Sequence, residues 1–411
     1  MKLLQVYNQY RSLFSGEEAV VRQTAALFER YGGRAQLLMR SSRGIEESLA
    51  SKAHAFWSGI YSRSAYRQME QILINDRPDV VHVHNLYPLL SPSILVACRR
   101  HGVPVVMSIH NQHLTCPRSD HLRRGKICER CAGGREYHCV LQNCRENLFE
   151  SVAYALRSAV ARKMGFFQNN VTLFIALSQF AKGRLVAAGF DPDRIVVLPN
   201  TVQCRDEPVD PAAGKYVVFA GRLSPEKGID TLLAAAAESP DCPLRLAGNG
   251  PLMSQAVATA SDNVQLLGQL EADELGELYR HARFVVLPSK TFEMCPLVIL
   301  EAMSNGLPVI ASRIGAQGEL VEDGVTGMLF DPGDAQDLGR KMRHLWGNPQ
   351  LCREMGQAAF AFALRNFGED IYYRRLISIY ERAQSMIAAQ ASKSPPELVE
   401  ATSEVVTCEG E

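Results

Sequence analysis

The sequence contains no run of about 18 consecutive apolar residues, the length that a membrane-spanning helix requires. It also has no net charge, because 44 lysines and arginines are balanced by 44 aspartates and glutamates. The first absence argues against a membrane span, and the second removes any bulk attraction to nucleic acid. Residues 1–7 are too short for a signal peptide and are predicted to form the first strand. We therefore expect a soluble cytoplasmic protein, long enough at 411 residues for two domains.

A secretory context is also lacking, so the eleven cysteines are expected to be reduced thiols. Five of them cluster in an insert at residues 114–147, namely Cys116, Cys128, Cys131, Cys139 and Cys144. A Cys-x2-Cys pair with further cysteines on short loops is compatible with a structural zinc site. Free thiols and disulfides are the alternatives, and a reducing compartment disfavours the disulfides.

Strand-like apolar runs alternate with amphipathic helical stretches along the chain, which predicts α/β domains with parallel sheets. We assign residues 1–202 to the first domain and 203–366 to the second. Residues 367–390 are predicted to be a helix that returns to the first domain, and 391–411 an acidic, disordered tail. Trp57 is predicted to lie in the core of the first domain.

Ligands of parallel α/β sheets bind at the carboxyl ends of the strands. In the first domain this edge is predicted to carry Gly16, His84 and His110. His82 lies two residues before His84 on the same strand, and we expect only one of the two, His84, to face the ligand.

Residues 291–303 are predicted to pass from a buried strand through a loop into a helix that begins near Pro296. Glu293 lies in the loop, and Glu301 lies about one turn inside the helix. The free N–H groups of Met294 and Cys295 point into the same crevice and would bind an anion. Two acids beside an anion site suggest a ligand that also carries hydroxyl-rich rings, such as a sugar and a ribose.

A glycine-bounded loop follows a strand at residues 221–228 and carries Arg222 and Lys227. The two cations can converge on a diphosphate, the arginine as a fork and the lysine as a point charge; two solvated surface charges are the simpler interpretation. Residues 248–251, Gly-Asn-Gly-Pro, allow close approach of a ligand to the backbone but are equally typical of a plain turn. They do not complete a Gly-x-Gly-x-x-Gly fingerprint, which argues against a nicotinamide or flavin site.

Together these motifs resemble those of the GT-B retaining glycosyltransferases of family 4, also called group 1. The matching features are Gly-Arg-Leu-x-x-Glu-Lys-Gly at 221–228, Gly-x-Gly-Pro at 248–251 and the Glu-x7-Glu spacing of Glu293 and Glu301. The similarity is dense in the second half and loose in the first. It implies two Rossmann-like domains that face each other across a donor cleft.

The resemblance also implies roles for individual residues. The catalytic set would be His110, Arg222, Lys227 and Glu293, with the two cations on the donor diphosphate and Glu293 on the sugar hydroxyls. The donor-binding set would be Gly16, Gly221, Gly248, Gly250, Phe292, Met294, Cys295, Pro296, Leu297 and Glu301, the last of these on the ribose. Two features depart from the family: the first loop has one glycine where many members have two, and Asn111 stands where an aspartate often follows the histidine.

The implied reaction moves a sugar from a nucleotide-diphosphate donor to a hydroxyl acceptor, sugar or lipid-linked, with retention and without a metal or other cofactor. We expect a role in bacterial-type cell-surface polysaccharide or glycolipid assembly. A non-catalytic nucleotide-sugar-binding protein and a sugar phosphorylase are the alternatives. A local basic patch with apolar neighbours suggests peripheral contact with anionic lipid at the inner face of a membrane; this patch comprises Arg118, Arg123, Arg124, Lys126, Arg130, Arg135, Arg157, Arg162 and Lys163, beside Phe166 and Phe167.

Overall fold

A computed structural model describes residues 1–9, 16–42 and 49–392, with side chains from residue 54 onward in the last range. The loop at residues 10–15 and nearly all of the predicted tail, 393–411, therefore lie outside the described residues. None of the described helices is long and apolar enough to cross a membrane.

The first domain is built on a six-stranded sheet in the order β2-β1-β3-β4-β7-β8, with every neighbouring pair parallel. Its strands are β1 (Lys2–Gln9), β2 (Arg34–Ser41), β3 (Val80–Asn85), β4 (Val105–Ile109), β7 (Leu173–Ala176) and β8 (Ile195–Val197). Its helices are α1 (Gly16–Arg30), α2 (Leu49–Ile60), α3 (Arg63–Asn75), α4 (Ser93–Arg100), α5 (Tyr137–Leu141), α6 (Leu148–Lys163), α7 (Phe166–Asn170) and α8 (Gln179–Ala187). The insert adds a small antiparallel hairpin, β5 (Leu122–Arg123) and β6 (Lys126–Ile127).

The second domain repeats the architecture with a parallel sheet in the order β11-β10-β9-β12-β13-β14. Its strands are β9 (Tyr216–Ala220), β10 (Leu244–Ala247), β11 (Val264–Gly268), β12 (Ala282–Leu287), β13 (Val309–Ser312) and β14 (Gly327–Phe330). Its helices are α9 (Ile229–Ala237), α10 (Met253–Thr259), α11 (Ala272–Arg280), α12 (Leu297–Ser304), α13 (Gln317–Leu320), α14 (Ala335–Trp346) and α15 (Pro349–Phe367).

Both sheets are covered by helices, so their central strands are buried on both faces. Every residue of β3 is buried, and β12 is buried from Phe284 to its end. Such strands read as continuous apolar runs rather than as an alternation, which is why the sequence located them. The predicted α/β fold with two parallel sheets is confirmed.

The last helix, α16 (Glu369–Ala391), packs against the first domain. At its start, Glu369 accepts a 2.6 Å hydrogen bond from Arg30 on α1. Farther along, the hydroxyl of the fully buried Tyr380 lies 2.7 Å from Nδ1 of His82 on β3. The helix thereby ties the end of the chain to the centre of the first sheet.

One prediction for a side chain in the first domain is wrong. Trp57 is 67% exposed, because α2 turns that side chain away from the core and α3 fills the core with Ala65, Met69 and Leu73. His82 and His84 share a face of β3, as residues two apart on a strand do, and it is His84 that contacts His110. Their ring centroids lie 4.2 Å apart.

Candidate active site

The loop between β12 and α12 places Glu293 against a cation from the loop that follows the neighbouring parallel strand, β9. Lys227, which closes the loop after β9, donates a 2.6 Å hydrogen bond from Nζ to Oε1 of Glu293. The same oxygen accepts a 2.8 Å hydrogen bond from the hydroxyl of Ser289. Both partners are mostly shielded from solvent, with 26% of the Lys227 side chain and 15% of the Glu293 side chain exposed. The structure thus brings together two predicted site residues that are 66 positions apart.

Two helix amino termini meet beside this pair. The backbone N–H groups of Met294 and Cys295, just before α12, donate to no protein acceptor in the described part of the chain. Helix α1 begins at Gly16, where an added Cβ would lie 3.4 Å from Cδ1 of Leu297, the first residue of α12. Pro296 precedes α12 with an extended backbone and has no N–H to leave unpaired. Free donors and two helix dipoles therefore converge where an anion would bind.

The glycines after β9 and β10 allow two loops to pack backbone to backbone. An added Cβ on Gly248 would lie 1.9 Å from the carbonyl oxygen of Gly221, and one on Gly250 would lie 2.4 Å from that of Leu223. Gly248 also has φ +139°, which L side chains rarely adopt. The close packing of the two loops therefore explains by itself why glycine occupies these positions. The arrangement leaves Arg222 exposed at the surface of its loop.

Glu301 lies on α12 and is held by a residue that the sequence did not single out. The hydroxyl of Tyr279, on α11, donates a 3.0 Å hydrogen bond to Oε2 of Glu301. Burial raises the pKa of Glu301, and the hydrogen bond from Tyr279 opposes that rise. The contact fixes the orientation of the carboxylate and leaves its other oxygen to accept from a ligand hydroxyl.

Phe292 packs across the cleft rather than within the second domain. Its ring centroid lies 4.9 Å from that of Phe180, and the Arg184 guanidinium lies 5.1 Å from the ring. Its backbone carbonyl accepts a 3.3 Å hydrogen bond from Gln112. Phe292 therefore joins the two domains at the site.

His110 ends a chain of hydrogen bonds that starts inside the first sheet. The Gln5 amide nitrogen donates to the Val21 carbonyl at 3.1 Å, so its oxygen faces Nε2 of His84 at 2.8 Å. Nε2 of His84 must then carry a hydrogen. Burial holds the pKa of His84 well below its usual value, so the ring is neutral and Nδ1 accepts from Nε2 of His110 at 3.0 Å.

This chain of hydrogen bonds determines whether His110 donates to a ligand or accepts from it. Burial lowers the pKa of His110 to about 4, so this ring is neutral as well. With its hydrogen on Nε2, the ring presents Nδ1 as a hydrogen-bond acceptor, which suits a ligand hydroxyl. The side-chain oxygen of the neighbouring Asn111 accepts from the backbone N–H and the ring of His113.

Replacing Gln5 by methionine removes the acceptor for His84 while nearly preserving volume. We expect the ¹⁵N chemical shifts of His110 to show a mixture of tautomers instead of the Nε2–H form. Activity should fall roughly tenfold, the usual scale for residues that orient a site through a neighbour. Gln36→Met, on strand β2, is the matched control, because the side-chain nitrogen of Gln36 donates to Asp76. An unchanged His110 tautomer in Gln5→Met would contradict the assignment.

The insert gathers its five cysteines without forming disulfides among them. Burial raises the pKa of the Cys131 thiol to about 12, with a further contribution from Cys116, Cys144 and Cys128 nearby. Cys139 and Cys144 are joined by a 3.0 Å backbone hydrogen bond. Yet in the described residues no three histidine, cysteine or acidic side chains are arranged so that they could hold a metal ion.

The structural zinc site stays a prediction. We expect the purified protein to contain stoichiometric zinc, and Cys128→Ser with Cys131→Ser to lose it, because thiolates are the ligands that zinc prefers. Elemental analysis after dialysis measures this, with Cys98→Ser, on α4, as the control outside the insert. A fully folded wild-type protein without zinc would contradict the prediction.

Several residues of the site carry no motif in the sequence. Ser289, Tyr279 and Gln5 act only through a tertiary contact with a predicted residue. In the sequence, each of them is recognisable only as a polar group next to or within an apolar run, as in Leu3-Leu4-Gln5-Val6. Such a group must find a partner when the run is buried.

Two family sequence models match the chain and together cover most of it. The model for Glycosyltransferase Family 4 matches residues 14–205, and that for Glycosyl transferases group 1 matches residues 205–362. An exopolysaccharide phosphotransferase of Streptomyces coelicolor is 32% identical over 192 residues, which are 44% of this chain and 20% of that protein. An alpha-D-kanosaminyltransferase of Streptomyces kanamyceticus is 25% identical over 305 residues, 72% of this chain and 73% of that protein.

Solved structures share the architecture at low sequence identity. The crystal structure of HepE from Anabaena in complex with UDP-glucose superposes with a TM-score of 0.62 and 18% identity, covering 95% of this chain and 100% of that chain. At this identity the likeness shows the fold alone. The matches to the first curated relatives span less than half of those proteins' own lengths.

Proposed function

Because the chain belongs to the group 1, family 4 glycosyltransferases of the GT-B fold, we propose that it transfers a sugar from a nucleotide-diphosphate donor to a hydroxyl acceptor with retention at the anomeric carbon. The observation that carries the proposal is the Lys227–Glu293 pair beside two converging helix amino termini. A cation and free N–H groups suit the diphosphate, and a carboxylate suits the hydroxyls of the sugar.

The donor would rearrange the polar contacts of the site. Its diphosphate carries negative charge and would compete with Glu293 for Lys227, with Arg222 as a second cation. Glu293, still held by Ser289, would then be free to accept from sugar hydroxyls. Glu301, oriented by Tyr279, would accept from the ribose. HepE of Anabaena, which has the same fold, was crystallised with UDP-glucose, and this supports a nucleotide-sugar donor.

We propose a front-face transfer. The bond between the anomeric carbon and the diphosphate oxygen breaks as the acceptor oxygen bonds to the same face of that carbon. The acceptor's proton passes to the departing diphosphate oxygen, so no side-chain nucleophile takes part. Lys227, Arg222 and the helix amino termini stabilise the charge that develops on the diphosphate, so that catalysis requires no metal. His110 accepts a hydrogen bond from the sugar through Nδ1.

The acceptor is proposed to be a sugar or lipid-linked sugar in cell-surface polysaccharide or glycolipid assembly, at the cytoplasmic face of a membrane. A cavity of about 340 Å³ between the insert and α6 supports an acceptor site in the first domain. His113, three residues after His110, lines it, and Nε2 of His113 is buried without a partner within the described chain. An unpaired buried polar group favours a ligand that bonds to it.

Donor screening tests the proposal. Thermal unfolding is measured with uridine and guanosine diphosphate sugars, and donors that stabilise the protein are then assayed for transfer to hydroxyl acceptors. We expect one nucleotide class to raise Tm and the product to retain the anomeric configuration by NMR. If a donor raises Tm but no acceptor leads to release of the nucleoside diphosphate, the result would favour a non-catalytic nucleotide-sugar-binding protein. An inverted product would contradict retention.

A further inference from the structure

Helix α6 exposes an apolar stripe. Leu148, Val152 and Leu156 recur every four residues and lie on one face, and Phe149 adjoins them. Their exposed fractions are 57%, 42%, 44% and 86% in the order Leu148, Val152, Leu156 and Phe149. Large apolar side chains that stay this exposed together mark an interaction surface rather than a random surface position.

The orientation of this stripe is fixed by the opposite face of α6. That face buries Ser151, Arg157 and Ala161, and Arg157 stacks over the rings of Tyr87 and Tyr154 at 4.0 and 4.5 Å. Helix α6 therefore cannot turn its stripe inward without breaking these contacts.

The short helix α5 packs against α6 and extends the same kind of surface. Tyr137 is 55% exposed and Leu141 is 71% exposed. We call the exposed apolar side chains of the two helices the α5–α6 surface; its members are Tyr137, Leu141, Leu148, Phe149, Val152 and Leu156.

Positive charge accompanies this surface. Residues 118–164 contain ten lysines and arginines against five acids, whereas the whole chain is neutral. Arg135 lies just before α5 and Lys163 ends α6, and both are exposed. Arg118 and Arg162 are instead paired with Asp120 and Glu136.

The structure also corrects the basic patch inferred from the sequence. Arg157 is buried over aromatic rings, and Phe167 belongs to the core with 3% of its surface exposed. Neither can touch a partner. The apolar members of the surface lie on α5 and α6 instead, where a recurrence every four residues indicates an apolar face but not whether that face is buried.

We propose that the α5–α6 surface docks on an anionic lipid bilayer, with Phe149 and Leu148 inserted at the level of the headgroups and Arg135 and Lys163 against lipid phosphates. An amphipathic helix that lies in the interface has this combination of an apolar stripe and flanking cations. The positive charge of the region matches an anionic surface and disfavours association with a second copy of the same surface. Docking requires no sugar donor, so it can be tested apart from the proposed transfer reaction.

The test is co-sedimentation of the full chain with vesicles of equal parts phosphatidylglycerol and phosphatidylcholine, and with phosphatidylcholine alone. We expect binding to the first, weakened by high salt, and little binding to the second. Leu148→Ser with Phe149→Ser should weaken the partition coefficient roughly tenfold or more. Arg135→Ala with Lys163→Ala should weaken binding to anionic vesicles only.

The matched control is Val257→Ser, which removes an equally exposed apolar side chain from α10 in the second domain. Unchanged Tm shows that each variant folds. Equal binding of wild type and the Leu148/Phe149 variant would overturn the proposal. The proposal would also be overturned if the wild-type protein bound no vesicles but formed a concentration-dependent dimer in light scattering, and the Leu148/Phe149 variant did not form that dimer. The surface would then join two copies.

Discussion

Replacing Lys227 by alanine is expected to lower kcat/KM by about 10²- to 10³-fold, the range for removing one preorganised group that stabilises transition-state charge. Lys227 is the cation held within the site, with Nζ 2.6 Å from Glu293. Its loss leaves Glu293 facing the diphosphate without compensation. Binding of the free nucleoside diphosphate should weaken as well, because its phosphates lose a cation and gain an uncompensated neighbour of like charge.

Steady-state kinetics with the donor found by screening and calorimetry with its nucleoside diphosphate measure the two effects. Lys341→Ala is the matched control, since Lys341 is likewise paired with a carboxylate, Asp337, but lies on α14. It should leave both quantities unchanged. A fully active Lys227→Ala enzyme of normal Tm would remove the electrostatic argument for the site.

Local sequence patterns predicted the second domain well because its site is built on short segments. Glycine-bounded loops and a proline-started helix dictate their own conformation, so Arg222, Lys227, Glu293 and Glu301 could be placed on loops and a helix from sequence alone. The two parallel sheets followed from buried apolar runs of strand length. What such patterns omit is the contact between segments, such as the pairing of Lys227 with Glu293.

The first domain was harder to predict for physical reasons. The orientation of His110 depends on Gln5, 105 positions earlier, through His84, and no local pattern encodes a hydrogen bond between strands. The apolar stripe of α6 has a helical period, but a period alone does not tell whether that face is buried or exposed, and the packing of Arg157 depends on Tyr87, 70 positions earlier. The contact of Phe292 with Phe180 of the other domain likewise has no local pattern.

Replacing Glu293 by alanine should have different effects on the binding of the sugar and of the nucleoside diphosphate part of the donor. We expect kcat/KM to fall about 30- to 160-fold, because a hydrogen bond to a charged group contributes about 2–3 kcal/mol. Affinity for the free nucleoside diphosphate should stay the same or rise, since Lys227 no longer divides its charge between Glu293 and the phosphates. This response is opposite to that of Lys227→Ala and follows from the ion pair between the two residues.

Calorimetry of Glu293→Ala with the nucleoside diphosphate and with the intact sugar donor measures the split. Glu277→Gln, an exposed carboxylate on α11 that pairs with Arg280, is the control and should behave as wild type. Glu293→Gln retains an oxygen for Ser289 but loses the charge, so it should release Lys227 as the alanine variant does while keeping part of the activity. If Glu293→Ala instead weakens both ligands by the same factor, Glu293 serves to hold Lys227 in place and does not contact the sugar.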